Sequence, residues 1–127
     1  MRRVGGLLFA SALLLIVGCQ QGSPPTAAAP AGSVPAEFAK GEALFNSHCA
    51  KCHGQGAVGT NQGPPFLNKI YEPNHHADAT FHLAVRGGVR SHHWTFGNMP
   101  PIEGVSASDV DEIIGYVRWL QRQAGIF

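Results

Sequence analysis

Cys49-Ala50-Lys51-Cys52-His53 is the stretch that decides how this chain is read. Two cysteines three positions apart on a helix share one face, so both sulfurs are offered to the same object. The next residue adds an imidazole from the same side. A contiguous C-x-x-C-H unit suits covalent attachment of a haem: the sulfurs bond to neighbouring vinyl groups and the histidine ligates the iron. A thioredoxin-like dithiol expects a βαβ setting, and the flanking sequence has none. A zinc site needs two further ligands, and no second C-x-x-C exists, although the other histidines could serve.

The second axial ligand has to come from the far side of the haem. Met1 is expected to leave with a signal segment, which makes Met99 the one methionine of the mature chain. It stands in Asn98-Met99-Pro100-Pro101, a loop that the prolines stiffen. A lone methionine is more often core filler; this setting points instead to a ligand. His53/Met99 ligation raises the reduction potential relative to a bis-His pair and leaves no iron position for a substrate.

Three helices are predicted around these residues. The first starts near Pro35 and runs to about Cys52, with Phe38, Gly41 and Phe45 near helical spacing. The second covers about Ala77 to Arg86 and is stopped by Gly87-Gly88. For the third, Ser106 and Asp109 have capping-box spacing, and Val105 with Val110 fits a hydrophobic staple. Val110, Ile113, Ile114, Val117 and Leu120 then recur at helical spacing until Gly125. No run alternates well enough for a strand, so the class is all-α with long loops.

Residues 1–18 read as a lipoprotein-type signal peptide. Arg2 and Arg3 form a positive n-region, and Leu7 to Val17 is apolar but short of the ~20 residues a membrane-spanning helix needs. Ile16-Val17-Gly18-Cys19 resembles a bacterial lipobox, and lipidation of Cys19 accounts for the odd one of three cysteines. More than one acyl chain makes such an anchor to the bilayer stable. Residues 19–36 are Gly, Ser, Pro, Ala and Gln-rich without an aromatic, a flexible tether from the lipidated N-terminus to a domain at 37–127. Without Arg2 and Arg3, seven basic side chains face eight acidic ones, so the surface is not basic and nucleic acid is not an expected partner.

Residues 37–127 resemble a class I (monohaem) cytochrome c. The resemblance rests on C-x-x-C-H near the end of the first helix, a methionine some tens of residues later in a loop, and a closing C-terminal helix. Gly41 and Phe45, with Ile113 and Tyr116, match the family's contact between terminal helices. It implies the cytochrome c fold, three to four helices with long loops wrapped around one covalent haem c. It also implies that a proline carbonyl after the motif accepts the N–H of the proximal imidazole. Gly63-Pro64-Pro65-Phe66 matches that segment, with Pro64 preferred and Pro65 still open.

Arg86 and Arg90 are candidate partners of the haem propionates, as is the indole N–H of Trp94, although either arginine could equally be a solvated helix-end charge. His75-His76, His82 and His92-His93 exceed what a small cytochrome needs. They read as solvated loop residues, with a second copper or zinc site, or bis-His ligation in place of Met99, as alternatives. The expected function is a periplasmic electron carrier on the membrane, exchanging single electrons with membrane or periplasmic redox proteins. The alternatives are a haem-based ligand-binding or peroxidase-like protein, which needs an open iron position, and a metal-handling lipoprotein using the histidine pairs.

Overall fold

The computed structural model describes residues 32–127. The expected signal peptide, Cys19 and residues 19–31 of the tether lie outside the described residues. Four α-helices are present, α1 (Ala39–His48), α2 (Ala50–His53), α3 (Asp78–Gly87) and α4 (Ala107–Gln123), with short 3-10 turns at Ala36–Phe38, Gln55–Ala57 and Lys69–Tyr71. Among the described residues there is no strand, only one antiparallel bridge between Val89 and Met99. No helix of the described residues is long and apolar enough to cross a membrane. The class is all-α, as the sequence predicts.

The first predicted helix is not continuous. Cys49 (φ −120°, ψ −35°) departs from helical geometry and divides α1 from α2. The amides of Cys52 and His53 both turn back to the Cys49 carbonyl, at 3.1 and 2.9 Å, so α2 is a single turn started afresh at the first cysteine. The other two helices begin and end within about one residue of the expected limits.

α4 forms because its ends and its face agree. Ser106 Oγ accepts from the Asp109 amide, and the Asp109 carboxylate accepts from the Ser106 amide, both at 3.2 Å. Val110, Ile113, Ile114, Val117 and Leu120 are all buried. At the far end Gly125 takes φ +73°, and the Ile126 amide reaches the Gln121 carbonyl at 2.9 Å.

α1 packs on α4 at Gly41. A Cβ there would stand 2.1 Å from the Glu112 carbonyl oxygen, so only glycine lets the backbones approach this closely. One turn on, Phe45 is fully buried against Tyr116, with ring centroids 5.6 Å apart. Burial of one such ring stabilises the fold by about 1.5–3 kcal/mol. The core joins Phe45, Ala57 and Leu67 to four residues of α4, Ile113, Tyr116, Val117 and Leu120.

Two polar residues of α4 are also buried, and they tie the long loop between α2 and α3 in place. Arg118 donates from Nε to Asp78 (2.8 Å), from Nη1 to the Tyr71 carbonyl (2.9 Å) and Gln121 Oε1 (2.6 Å), and from Nη2 to the His76 carbonyl. Gln121 Nε2 donates to the Phe66 and Tyr71 carbonyls at 3.0 and 2.9 Å. The loop's buried carbonyls are thereby satisfied. What remains between this loop, α2, α3 and residues 88–102 is a cavity of about 770 Å³.

Candidate haem centre

Cys49 and Cys52 both line that cavity, half-buried and unpaired. Burial, and then the neighbouring Cys52 sulfur, push the Cys49 thiol up to about 11, so it is protonated at neutral pH before any attachment. His53 lines the cavity too and is 7% exposed.

The segment after the motif folds back to fix the His53 ring. The Gly59 amide donates to the His53 carbonyl (2.6 Å), and Thr60 Oγ1 donates to the Cys52 carbonyl (2.5 Å). His53 Nδ1 lies 2.9 Å from the Pro64 carbonyl oxygen, so the acceptor is Pro64 rather than Pro65. A carbonyl can only accept, which puts the proton on Nδ1 and leaves Nε2 as the nitrogen free for a metal. Phe66 stacks on the ring at 4.3 Å. Burial lowers the His53 pKa and outweighs the opposing bond to Pro64, which keeps the imidazole neutral and able to ligate.

Met99 lines the same cavity, half-buried. It is held by more than its prolines. Val89 and Met99 exchange both backbone hydrogen bonds, at 2.9 and 3.0 Å, and the Ile102 amide donates to the Val85 carbonyl at 2.8 Å. Gly88 makes this clamp possible: it has φ +72°, and a Cβ on it would lie 2.4 Å from the Met99 carbonyl oxygen. The glycine that stops α3 therefore also docks the methionine loop.

The three candidate propionate partners separate. Arg90 and Trp94 line the cavity, whereas Arg86 is exposed in the last turn of α3 and outside the lining. The Trp94 indole N–H is buried and has no hydrogen-bond partner of good geometry; burial raises the pKa of the nearby Tyr71 hydroxyl, and Trp94 opposes that rise. An orphaned buried donor costs about 1–3 kcal/mol. A carboxylate in the cavity would satisfy it, so this atom fits a haem as the motif does.

Sequence reasoning missed Arg118 and Gln121. Their signal was present: they lie four residues beyond Ile114 and Val117, on the apolar stripe of α4. It also missed that His75, His76, His92 and His93 meet along one side of the cavity. His82 stands apart and bonds Asp111 at 3.0 Å.

The family model described as Cytochrome c matches residues 38–121, the span from the turn before α1 almost to the end of α4. No curated protein and no solved structure matches the chain. With the terminal helices packed at Gly41 and the motif sulfurs and His53 lining one cavity, the chain belongs to the cytochrome c family, which carries covalent haem c, and Cys49, Cys52 and His53 fit its C-x-x-C-H attachment motif.

Proposed function

We propose that this cytochrome is an electron carrier whose iron is ligated by His53 and Met99, tethered through lipidated Cys19 to the periplasmic side of a bacterial membrane. The observation that carries the ligation is that Met99, the one methionine among the described residues, lines the same cavity as Cys49, Cys52 and His53. Haem c supplies one-electron chemistry at its iron. Pro64 holds the Nδ1 proton of His53, which orients the ring and raises the basicity of Nε2. The Met99 thioether favours the ferrous state, and two protein ligands exclude substrate from the iron.

Partners would be membrane or periplasmic redox proteins, met through a small apolar patch. Leu83 and Phe96, 54% and 38% exposed, border the cavity and suit such brief contacts. The tether and its anchor rest on the lipobox-like Ile16-Val17-Gly18-Cys19 and the aromatic-free segment after it.

Met99→Ala tests the reading. The ferric wild type should show the weak near-infrared charge-transfer band of methionine–iron bonding and resist carbon monoxide when reduced. The variant should lose the band, fall in reduction potential and bind carbon monoxide. A wild type that already binds carbon monoxide would favour the ligand-binding alternative, and an unchanged variant would remove Met99 as the ligand.

A further inference from the structure

His75 and His76 follow the turn Lys69–Tyr71, and His92 and His93 lie between the clamp residues Val89 and Met99. The fold brings them together. One ligand atom from each of His75, His76 and His93 lies within 4.8 Å of the others, and the Nε2 atoms of His75 and His93 are 3.3 Å apart. We propose that these three imidazoles bind a divalent transition ion of the zinc or copper class at the edge of the haem cavity.

The geometry suits such an ion. Two nitrogens at ~2.05 Å from a tetrahedral zinc stand ~3.3 Å apart, the separation His75 and His93 already have. His75 and His93 are exposed and free to swing the small distance that closes the trio. His76 is oriented as metal-binding histidines usually are. Its Nδ1 donates to the Ile70 carbonyl at 2.6 Å, leaving Nε2 available. The backbone beneath it is held, since the His76 carbonyl accepts from Arg118.

The absence of any other compensation points the same way. No carboxylate joins the trio, and the nearby guanidinium of Arg118 is paired with Asp78. Burial and the neighbouring histidines lower the pKa of His76 and of His93. His92 is beside them, its ring 4.2 Å from that of His93 and its Nδ1 bonded to the Arg90 carbonyl. Three imidazoles leave one tetrahedral position for water or a further ligand. Imidazole donors select zinc and copper over calcium or magnesium.

The site rests on the histidine geometry and not on the choice of Met99 as iron ligand. Its test uses the haem-loaded protein, titrated with Zn²⁺ by calorimetry and with Cu²⁺ by electron paramagnetic resonance. One ion per chain should bind with Kd of roughly 10 µM or tighter, and bound Cu²⁺ should show nitrogen couplings from imidazoles. Joint His75→Asn and His93→Asn substitution should weaken Zn²⁺ by at least about 100-fold, more than the loss of a merely orienting partner. The haem absorption spectrum should stay unchanged, and His82→Asn should leave the affinity intact. The proposal is overturned by unsaturable binding, by equal affinity in the double variant, or by Cu²⁺ signals without imidazole couplings. A haem spectrum altered by the double variant would also overturn it, because the histidines would then serve the haem iron.

Discussion

Around His53 the chain stands on α2 and is held by the segment from Gly59 to Phe66, whereas around Met99 it is held by a clamp of the methionine loop onto the end of α3 and the residues just after it. His53 is 7% exposed, bonded to Pro64 and stacked on Phe66, and its carbonyl accepts from Gly59. Met99 depends on a two-bond bridge to Val89, a close approach to Gly88, and a stretch in which His92, His93 and Phe96 are exposed. The first wall stands on a helical turn and is buried in the core. The second lies in a loop and is partly open to water, so it should be the wall that yields first.

The sharpest way to break the comparison is to remove its common occupant. Cys49→Ala with Cys52→Ala should abolish covalent haem and leave a cavity of about 770 Å³ in a domain of some ninety residues. The expected loss is of the order of the whole stability, ~5–15 kcal/mol, read as disappearance of helical circular dichroism. A stable, colourless, helical double variant would mean that the His53 wall is self-sufficient without haem. Gly88→Ala should act on one wall only. A strained φ of +72° and a 2.4 Å approach to the Met99 carbonyl have to be relieved, at a cost of about 1–3 kcal/mol. Haem should remain bound, while carbon monoxide gains access to the reduced iron; a spectrum and carbon monoxide affinity like those of the wild type would show that the clamp does not govern Met99.

Ser106→Ala should have the smallest effect, about 1 kcal/mol from a lost helix cap, and should leave the haem spectrum alone. Its pH dependence adds a check. The Ser106 hydroxyl, then its backbone amide, hold the Asp109 carboxyl below its ordinary pKa. A depressed folded pKa stabilises above the unfolded value and is lost as pH falls through the folded one. The difference between wild type and Ser106→Ala in chemical denaturation should therefore shrink below pH ~4, where free carboxylates begin to protonate. A difference that grows on acidification would rule out the capping box as its source.

What was legible in the sequence was local. C-x-x-C-H is contiguous, the capping box spans four residues, and the stripe from Val110 to Leu120 repeats every three or four. Each of these encodes its structure within one or two turns. The Arg118 clasp was not legible in that way, because its partners Asp78, Tyr71 and His76 lie 40 to 47 residues away. The meeting of the histidine pairs was hidden for the same reason. Each pair alone resembles solvated loop, and only folding sets His75 against His93, 18 residues on. The break at Cys49 was invisible because nothing in residue type distinguishes one long helix from two that meet there.

The packing of Gly41 on Glu112 has a kinetic consequence. Lys40 and Glu112, the ion pair beside it, are 72 residues apart, and α4 supplies four of the seven residues of the buried core. Joining such distant segments carries a loop-closure penalty that local turns do not. The domain therefore cannot consolidate until its C-terminal helix has been made and has docked. Until then Cys49 and Cys52 sit in an open chain, accessible to whatever attaches the haem. The late closure of this contact thus leaves the motif open for covalent loading before the core forms over it.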